Sequence, residues 1–424
     1  MTLELLKSFM SELGARFIVY KQLSENDNSK NQVYLGGSYD VLQILPYQDI
    51  EIFAEGKRPN FKAKMNFYWL DDSGHCELAP NTKLILYPKY PEVRMSGFLS
   101  KCSIAPSKYM KAPVASERTG DKDGRILLMA PVGERIYAYL APKGSVISNE
   151  LSITIIDGVF GRIDLDEQDS KQELIDTLRH LYRTNPHELV RLHPDGIIRP
   201  YSARNAAGYT FEAAFGIIPN GKADPDYKGW ELKCLKSGNV TLMTPEPDGG
   251  EYRRLGVREF VHEYGHYTAE NKEYFTGPYD VNDNYKFGIR RNLAVLGYDF
   301  EKRKITDVNG AIVLLQDELA LASWSFAHIL THWSRKHEKA CYVKYTSRPE
   351  PKKNYIDFKP QALLCQNTSP EYFLDSIIDG LITYDPGCRI SELGEVKPRN
   401  QFRVNERNLP KLYGWHEFVD LDIE

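Results

Sequence analysis

Cysteine is scarce in this chain: six residues in 424, at positions 76, 102, 234, 341, 365 and 388, with no CxxC pair and no set of close spacings. A disulfide framework is therefore excluded, and free thiols in a reducing cytoplasm are expected. No apolar run is long enough for a transmembrane span, so no membrane partner is expected. Met1 to Gly14 reads as a charged amphipathic helix that lacks the apolar core of a signal segment. Internal repeats and low-complexity tracts are absent as well. So is any overall positive charge, since the formal net charge is -4. A polyanion, however, responds to a local patch rather than to an average. Arg389, Lys397, Arg399, Arg403, Arg407 and Lys411 make the C-terminal segment locally basic, and Arg253, Arg254 and Arg258 form a second group. A solvated face is the plain alternative for both.

What is present is enough hydrophobic residue, 42% of the chain, to bury two or three cores on the usual size prior. Phe17 to Leu35 reads as strand, polar loop, strand. Lys64 to Leu70, Lys83 to Tyr87 and Arg125 to Ala130 read as further strands with Pro and Gly between them, so an all-β barrel is expected over residues 1–160. The join falls between Lys143 and Gln172, where Gly161 to Asp169 lose alternation and turn acidic. A helix then starts near Ser170. Its Leu174, Ile175, Leu178, Leu181 and Tyr182 recur at helical intervals, a stripe that fits core packing over a second domain, residues 170–424.

The chemistry is densest in Ala223-Asp224-Pro225-Asp226-Tyr227-Lys228-Gly229-Trp230-Glu231-Leu232-Lys233. Successive strand residues face opposite ways, so Glu231 and Lys233 share a face while Leu232 packs behind them. Asp226, on the preceding turn, can fold its carboxylate back beside Glu231. Oxygen ligands of this kind suit a hard divalent cation, magnesium above all. Asp226, Glu231 and Leu232 make up the expected metal set. Such a cation lowers the pKa of a bound water and stabilises charge on a phosphate, while Lys233 orients the nucleophile or neutralises the pentacovalent state. The pattern points to phosphodiester hydrolysis, although a solvated strand with a chance i, i+2 ion pair reads the same. Gly208 to Ile217 adds a short helix ending at Gly216 that offers Glu212 as another carboxylate. Cys234, next to Lys233, turns to the opposite face and packs.

Gly208-Tyr209-Thr210-Phe211-Glu212, Pro225 to Lys233 and Leu242-Met243-Thr244-Pro245-Glu246-Pro247 together resemble the MvaI/BcnI restriction endonucleases, relatives of the mismatch-repair nickase MutH within the PD-(D/E)XK nuclease fold. The resemblance implies a C-terminal α/β restriction-endonuclease-like domain. Asp226, Glu231 and Lys233 become the catalytic set, with Glu212 the helix carboxylate that faces them. Asp224, at the longer spacing used in MutH, rivals Asp226, which is preferred. The likeness continues through Gly380 to Asp385 and Phe402 to Tyr413, similar to the family's DNA-reading lobe, where Arg399, Asn400, Gln401 and Arg403 are the expected contacts. Family members carry a His-Gly-Thr-type segment before the Phe-Arg pair, whereas this chain has Pro398-Arg399-Asn400-Gln401, a departure that bears on base preference.

The N-terminal strands resemble the DNA-binding pseudobarrel of plant transcription factors and of the EcoRII effector domain. The first arm would present Lys21, Ser24, Asn26, Asp27 and Gln32, and the second, Tyr90 to Phe98, would present Glu92 and Arg94 to base edges. Together the resemblances imply an α+β two-domain type II restriction endonuclease of the bacterial cytoplasm, type IIE if the barrel engages a second copy of the site. It would use Mg2+, with Mn2+ as a substitute, on double-stranded DNA at short CCNGG-like sites, as a monomer with a cognate DNA methyltransferase in the same system. A modification-dependent endonuclease and a MutH-like nickase remain open. His262-Glu263-Tyr264-Gly265-His266 also satisfies the zinc-peptidase pattern HExxH, provided that a helix runs from Val257 to Lys272.

Overall fold

The computed structural model describes residues 1–424 except 91, 120, 155–157, 166–169, 220–225, 269–271, 287, 334–336, 351–352 and 424. Asp224, Pro225 and Pro91 therefore lie outside the described residues, as does the end of the acidic run. The chain forms two compact units, Met1–Gln168 and Asp169–Glu424. No helix among the described residues is long and apolar enough to cross a membrane, and the six cysteines are free.

The first unit is built from two sheets. One orders its six strands as β11 (Gly161–Asp164), β1 (Phe17–Ser24), β9 (Lys122–Val132), β10 (Arg135–Ala141), β5 (Asn66–Leu70) and β6 (Cys76–Leu78). The other runs β2 (Gln32–Gly36), β8 (Glu92–Ser96), β7 (Lys83–Tyr87), β4 (Asn60–Lys64) and β3 (Ile50–Phe53), antiparallel throughout. A single residue, Met65, separates β4 from β5, so the chain changes sheets there. An all-β unit was the expectation, but helices contribute too. Leu3, Leu6 and Met10 of helix Leu3–Glu12 and Ile147 and Leu151 of helix Val146–Ser152 share a core with Ile18, Tyr20, Leu128 and Ala130. A sheet with an apolar face needs another layer against it, and these two helices supply one.

In the second unit a five-stranded sheet positions the chemistry. Strand Glu231–Leu235 lies at its edge and pairs in parallel with Lys339–Pro349, Glu231 opposite Ala340 and Lys233 opposite Tyr342. Lys339–Pro349 pairs antiparallel with Asn354–Gln366, which also takes Trp415–Asp420. Helix Ser170–Arg183 buries Leu174, Ile175, Leu178 and Leu181. These four meet Phe211, Trp230, Leu232, Cys341, Val343 and Phe358 in one core, so the stripe seen in the sequence is packing. Leu232 is the link between core and chemistry, because its side chain is buried while its neighbours Glu231 and Lys233 face the other way.

Because Leu178 is 1% exposed within that core, Leu178→Ala is expected to destabilise the second unit by about 2–5 kcal/mol. Chemical denaturation followed by tryptophan fluorescence checks this, and a loss below about 1 kcal/mol would mean the helix is not packed as described.

Candidate active site

A two-residue hairpin sets the site. Tyr227 and Trp230 exchange main-chain hydrogen bonds, Tyr227 N to Trp230 O at 2.9 Å and Trp230 N to Tyr227 O at 2.7 Å. The residues between them, Lys228 and Gly229, have φ of 44° and 88°, the positive values that a type I′ turn demands. Glycine supplies one without strain, and Lys228 is held by an ion pair with Glu173 of helix Ser170–Arg183. The hairpin brings Asp226 back along the strand, where its Oδ2 accepts a hydrogen bond from Leu232 N at 2.9 Å. That amide belongs to the Glu231–Leu232 peptide, so the Asp226 carboxylate stands beside Glu231. The Glu231 side chain is 4% exposed and accepts from Lys233 Nζ at 2.5 Å.

Helix Ala206–Ala214 supplies the fourth group. It begins two residues earlier than Gly208 and closes on Gly216, whose φ is 70°. Ile217 N donates back to Glu212 O at 3.1 Å, the closure expected of a left-handed helix cap. Glu212 is half-buried and its carboxyl is pushed up to about 7. Burial is the main cause, the charge of Asp226 the next, and Glu231 adds to it, while Lys233 and Arg191 pull the other way. Asp226, Glu231, Lys233 and Glu212 are thus one electrostatic cluster. Arg191 belongs with it and was not foreseen, since no motif surrounds it in the sequence. Cys234 packs against the core, and burial pushes its thiol up.

Among the described residues no three His, Cys, Asp or Glu side chains close into a metal cage. A pair of neighbouring carboxylates fits magnesium, which keeps several waters and takes one or two protein carboxylates. It does not fit a structural zinc, which takes four protein ligands. Leu232, named with the metal set, has its side chain in the core and its N–H given to Asp226, so its carbonyl is the one oxygen it could offer.

The zinc-peptidase pattern is not realised. Helix Val257–Tyr264 stops at Gly265, and His266 lies instead in the short strand His266–Tyr267. Any side chain at 265 would meet the carbonyls of Val261 and Tyr274. The expected helix to Lys272 therefore ends early, and His262 and His266 do not share a helical face. His262 Nδ1 is paired with Glu273 Oε2 at 2.8 Å.

The residues assigned to base reading divide. Asn400 is 5% exposed. Its Oδ1 accepts from Tyr384 Oη at 2.6 Å and its Nδ2 donates to Tyr252 Oη at 3.0 Å, which in turn donates to Glu246 at 2.8 Å. In the chain without DNA this buried amide is thus held by the tyrosines on either side of it. Arg399 is exposed and donates to Gln401 Oε1 at 2.8 Å, so these two form the accessible end of the segment. Arg403 is committed to Asp385 at 2.5 Å and to Asn239 O at 2.9 Å. Of the other basic group, Arg254 pairs with Glu251 and Arg258 donates to Gly394 O at 2.8 Å.

In the first unit, Lys21, Ser24, Asn26, Asp27, Gln32 and Arg94 line one pocket of about 370 Å³. Ser29, Lys30 and Tyr34 complete it, scattered polar residues that no motif marks in the sequence. Asp27 organises the pocket: it is 4% exposed, ion-paired with Lys21, and accepts from Ser24 N and Tyr34 N at 3.0 Å each. Glu92 and Arg94 lie on β8, ion-paired with each other at 3.0 Å, and Arg94 also donates to Gln32 at 3.2 Å.

Compared with known proteins, the sequence matches the MvaI/BcnI restriction endonuclease family over residues 186–413. Two solved structures are similar at low identity. One is restriction endonuclease MvaI in complex with a cognate DNA substrate, 15% identical, covering 60% of this chain and 100% of that one, with a TM-score of 0.47. The other is the same enzyme without DNA, 14% identical, covering 60% and 99%, with a TM-score of 0.35. No curated protein matches.

The raised carboxyl of Glu212 has a sign that can be checked. Above the ordinary carboxylate range and up to about pH 7, the folded chain holds a proton that the unfolded chain has released. Stability from this group is therefore present at acid pH and lost as pH rises through 7. In metal-free buffer, Glu212→Gln is expected to raise Tm at pH 8 relative to wild type and to leave it nearly unchanged at pH 4.5; thermal melts showing the opposite order would contradict the assignment.

Proposed function

The chain belongs to the MvaI/BcnI restriction endonuclease family, and from that premise we propose a two-domain, magnesium-dependent type II enzyme that hydrolyses double-stranded DNA at a short CCNGG-like site. As a family member it is a site-specific DNA endonuclease, a hydrolase. The observation that carries the residue assignment is the hairpin that delivers Asp226 to the Leu232 amide beside the Glu231–Lys233 pair.

Asp226 and Glu231 would hold the cation, Mg2+ with Mn2+ as a substitute, which when bound generates the nucleophilic water and offsets phosphate charge. Glu231 keeps the Lys233 ammonium over the same face. From there Lys233 orients the attacking oxygen and balances charge as it builds on the phosphorus. Glu212, half-buried and readily protonated near neutrality, can accept or return a proton or join the cation's water shell. Arg399, Asn400, Gln401 and Arg403 make up the segment assigned to base reading, with Arg403 released from Asp385 on binding.

Residues 1–160 would form a DNA-binding pseudobarrel and 170–424 the catalytic domain. The polar pocket around Lys21, Asn26, Gln32 and Arg94 supports the first assignment. If that domain engages a second copy of the site, the enzyme is type IIE. The rest of the reading is a monomer in the bacterial cytoplasm, with a cognate methyltransferase protecting the host's copies of the site.

Digestion of plasmid DNA in magnesium tests this directly. Asp226→Ala, Glu231→Ala and Lys233→Ala should each retain DNA binding and lower cleavage by roughly 10³-fold. Asp224→Ala should cut nearly as wild type; if it alone abolishes cleavage while Asp226→Ala is tolerated, the metal assignment is wrong. In the same digests a two-site plasmid should be cut faster than a one-site plasmid, and equal rates would remove the type IIE reading.

A further inference from the structure

One cation beside the carboxylate cluster, Arg191, has no carboxylate partner among the described residues, and the role assigned to it rests on the nuclease reading above. Arg191 lies in strand Val190–Leu192, paired antiparallel with Ile198–Pro200. Thr210 of helix Ala206–Ala214 clamps this strand, its Oγ1 accepting from Val190 N at 2.9 Å. The Arg191 guanidinium then stands 4.6 Å from the centre of the Tyr209 ring and 5.7 Å from that of Tyr201, two rings packed edge to face. Tyr209 and Glu212 are three residues apart on the helix and share a face. Stacked on Tyr209, Arg191 is therefore set at the side of Glu212.

Its hydrogen-bonding capacity is unspent. Among the described residues Arg191 makes no ion pair with any carboxylate, and its buried Nε has no hydrogen-bond partner. Stacking fixes the plane of a guanidinium without consuming its N–H groups, and that plane presents a fork matched to two oxygens of a phosphate. Thr210 and Tyr209, which hold the strand and the guanidinium, stand on the helix that carries Glu212, so the fork lies on the side of the catalytic cluster.

We propose that Arg191 binds a phosphate of the DNA strand at the cleavage site, holding the phosphodiester against Asp226, Glu231 and Lys233. A phosphate supplies what the site lacks, an anion with paired oxygens for a cation already positioned by aromatic rings. Arg191 thereby becomes a substrate-positioning residue, one that acts on binding and alignment more than on the chemical step.

The test uses the full chain and a linear duplex excised from a plasmid that the wild type cuts, with binding measured in calcium at several salt concentrations and cleavage in magnesium. Arg191→Met should raise Kd and KM about tenfold and flatten the slope of log affinity against log salt by about 0.9, the value for one lost phosphate contact. Arg191→Lys, which keeps the charge but not the fork, should keep the slope and raise KM severalfold. Should Arg191→Met not fold, Arg191→Gln reads the same slope. A wild-type slope and KM in the uncharged variant overturns the proposal, as does a wild-type KM in Arg191→Lys. If the wild type cuts no DNA at all, the nuclease reading fails first and this assignment with it; if the wild type cuts and only the variants behave like it, Arg191 alone is reassigned.

Discussion

The catalytic geometry depends on one main-chain contact, the hydrogen bond from the Leu232 amide to the Asp226 carboxylate. It closes a loop of a few residues, and each feature of that loop serves the closure. Lys228 and Gly229 reverse the chain, Trp230 is fully buried to hold the outgoing strand, and Glu173 grips Lys228 from the neighbouring helix. Leu232 contributes twice, with its side chain as core and its amide as the carboxylate's partner. Packing of the sheet and placement of the charge are consequently not separable at this position.

Around that contact the charges are unbalanced in favour of the negative. Three carboxylates, Asp226, Glu231 and Glu212, act on one another, and Lys233 with Arg191 only partly offsets them. Burial and, after it, like charges brought together raise the pKa of a carboxyl, and here Glu212 carries the effect. A divalent cation would relieve the excess, and a phosphate would then be attracted rather than repelled. The acidic net charge of the chain is thus compatible with DNA as substrate, since the local balance changes with the cation.

Much of this was legible from strand alternation and turn chemistry. Glu231, Leu232 and Lys233 could be placed on their faces because the period of a strand is fixed, and Gly229 announced the turn that folds Asp226 back. The helix of Glu212 was readable for the same local reason, with Gly216 marking its end. What strand period and turn chemistry could not supply were the tertiary contacts. Nothing around Asn400 in the sequence announces its hydrogen-bonded chain with Tyr384, Tyr252 and Glu246. Nor does the sequence announce the ion pair of Asp27 with Lys21. His266 lost its helix because Gly265 lies against the carbonyls of Val261 and Tyr274, where the chain turns into the hairpin that pairs His266 with Tyr274. Arg191 was invisible because its significance comes from Tyr209 and Glu212, residues close to it only in the fold.

The most direct measurement is a crystal structure of the chain bound to a duplex it cleaves, grown in calcium to arrest hydrolysis. A calcium ion is expected at about 2.3–2.6 Å from carboxylate oxygens of both Asp226 and Glu231, with Lys233 against the scissile phosphate. A cation bound instead through Asp224, or a scissile phosphate distant from Lys233, would contradict it.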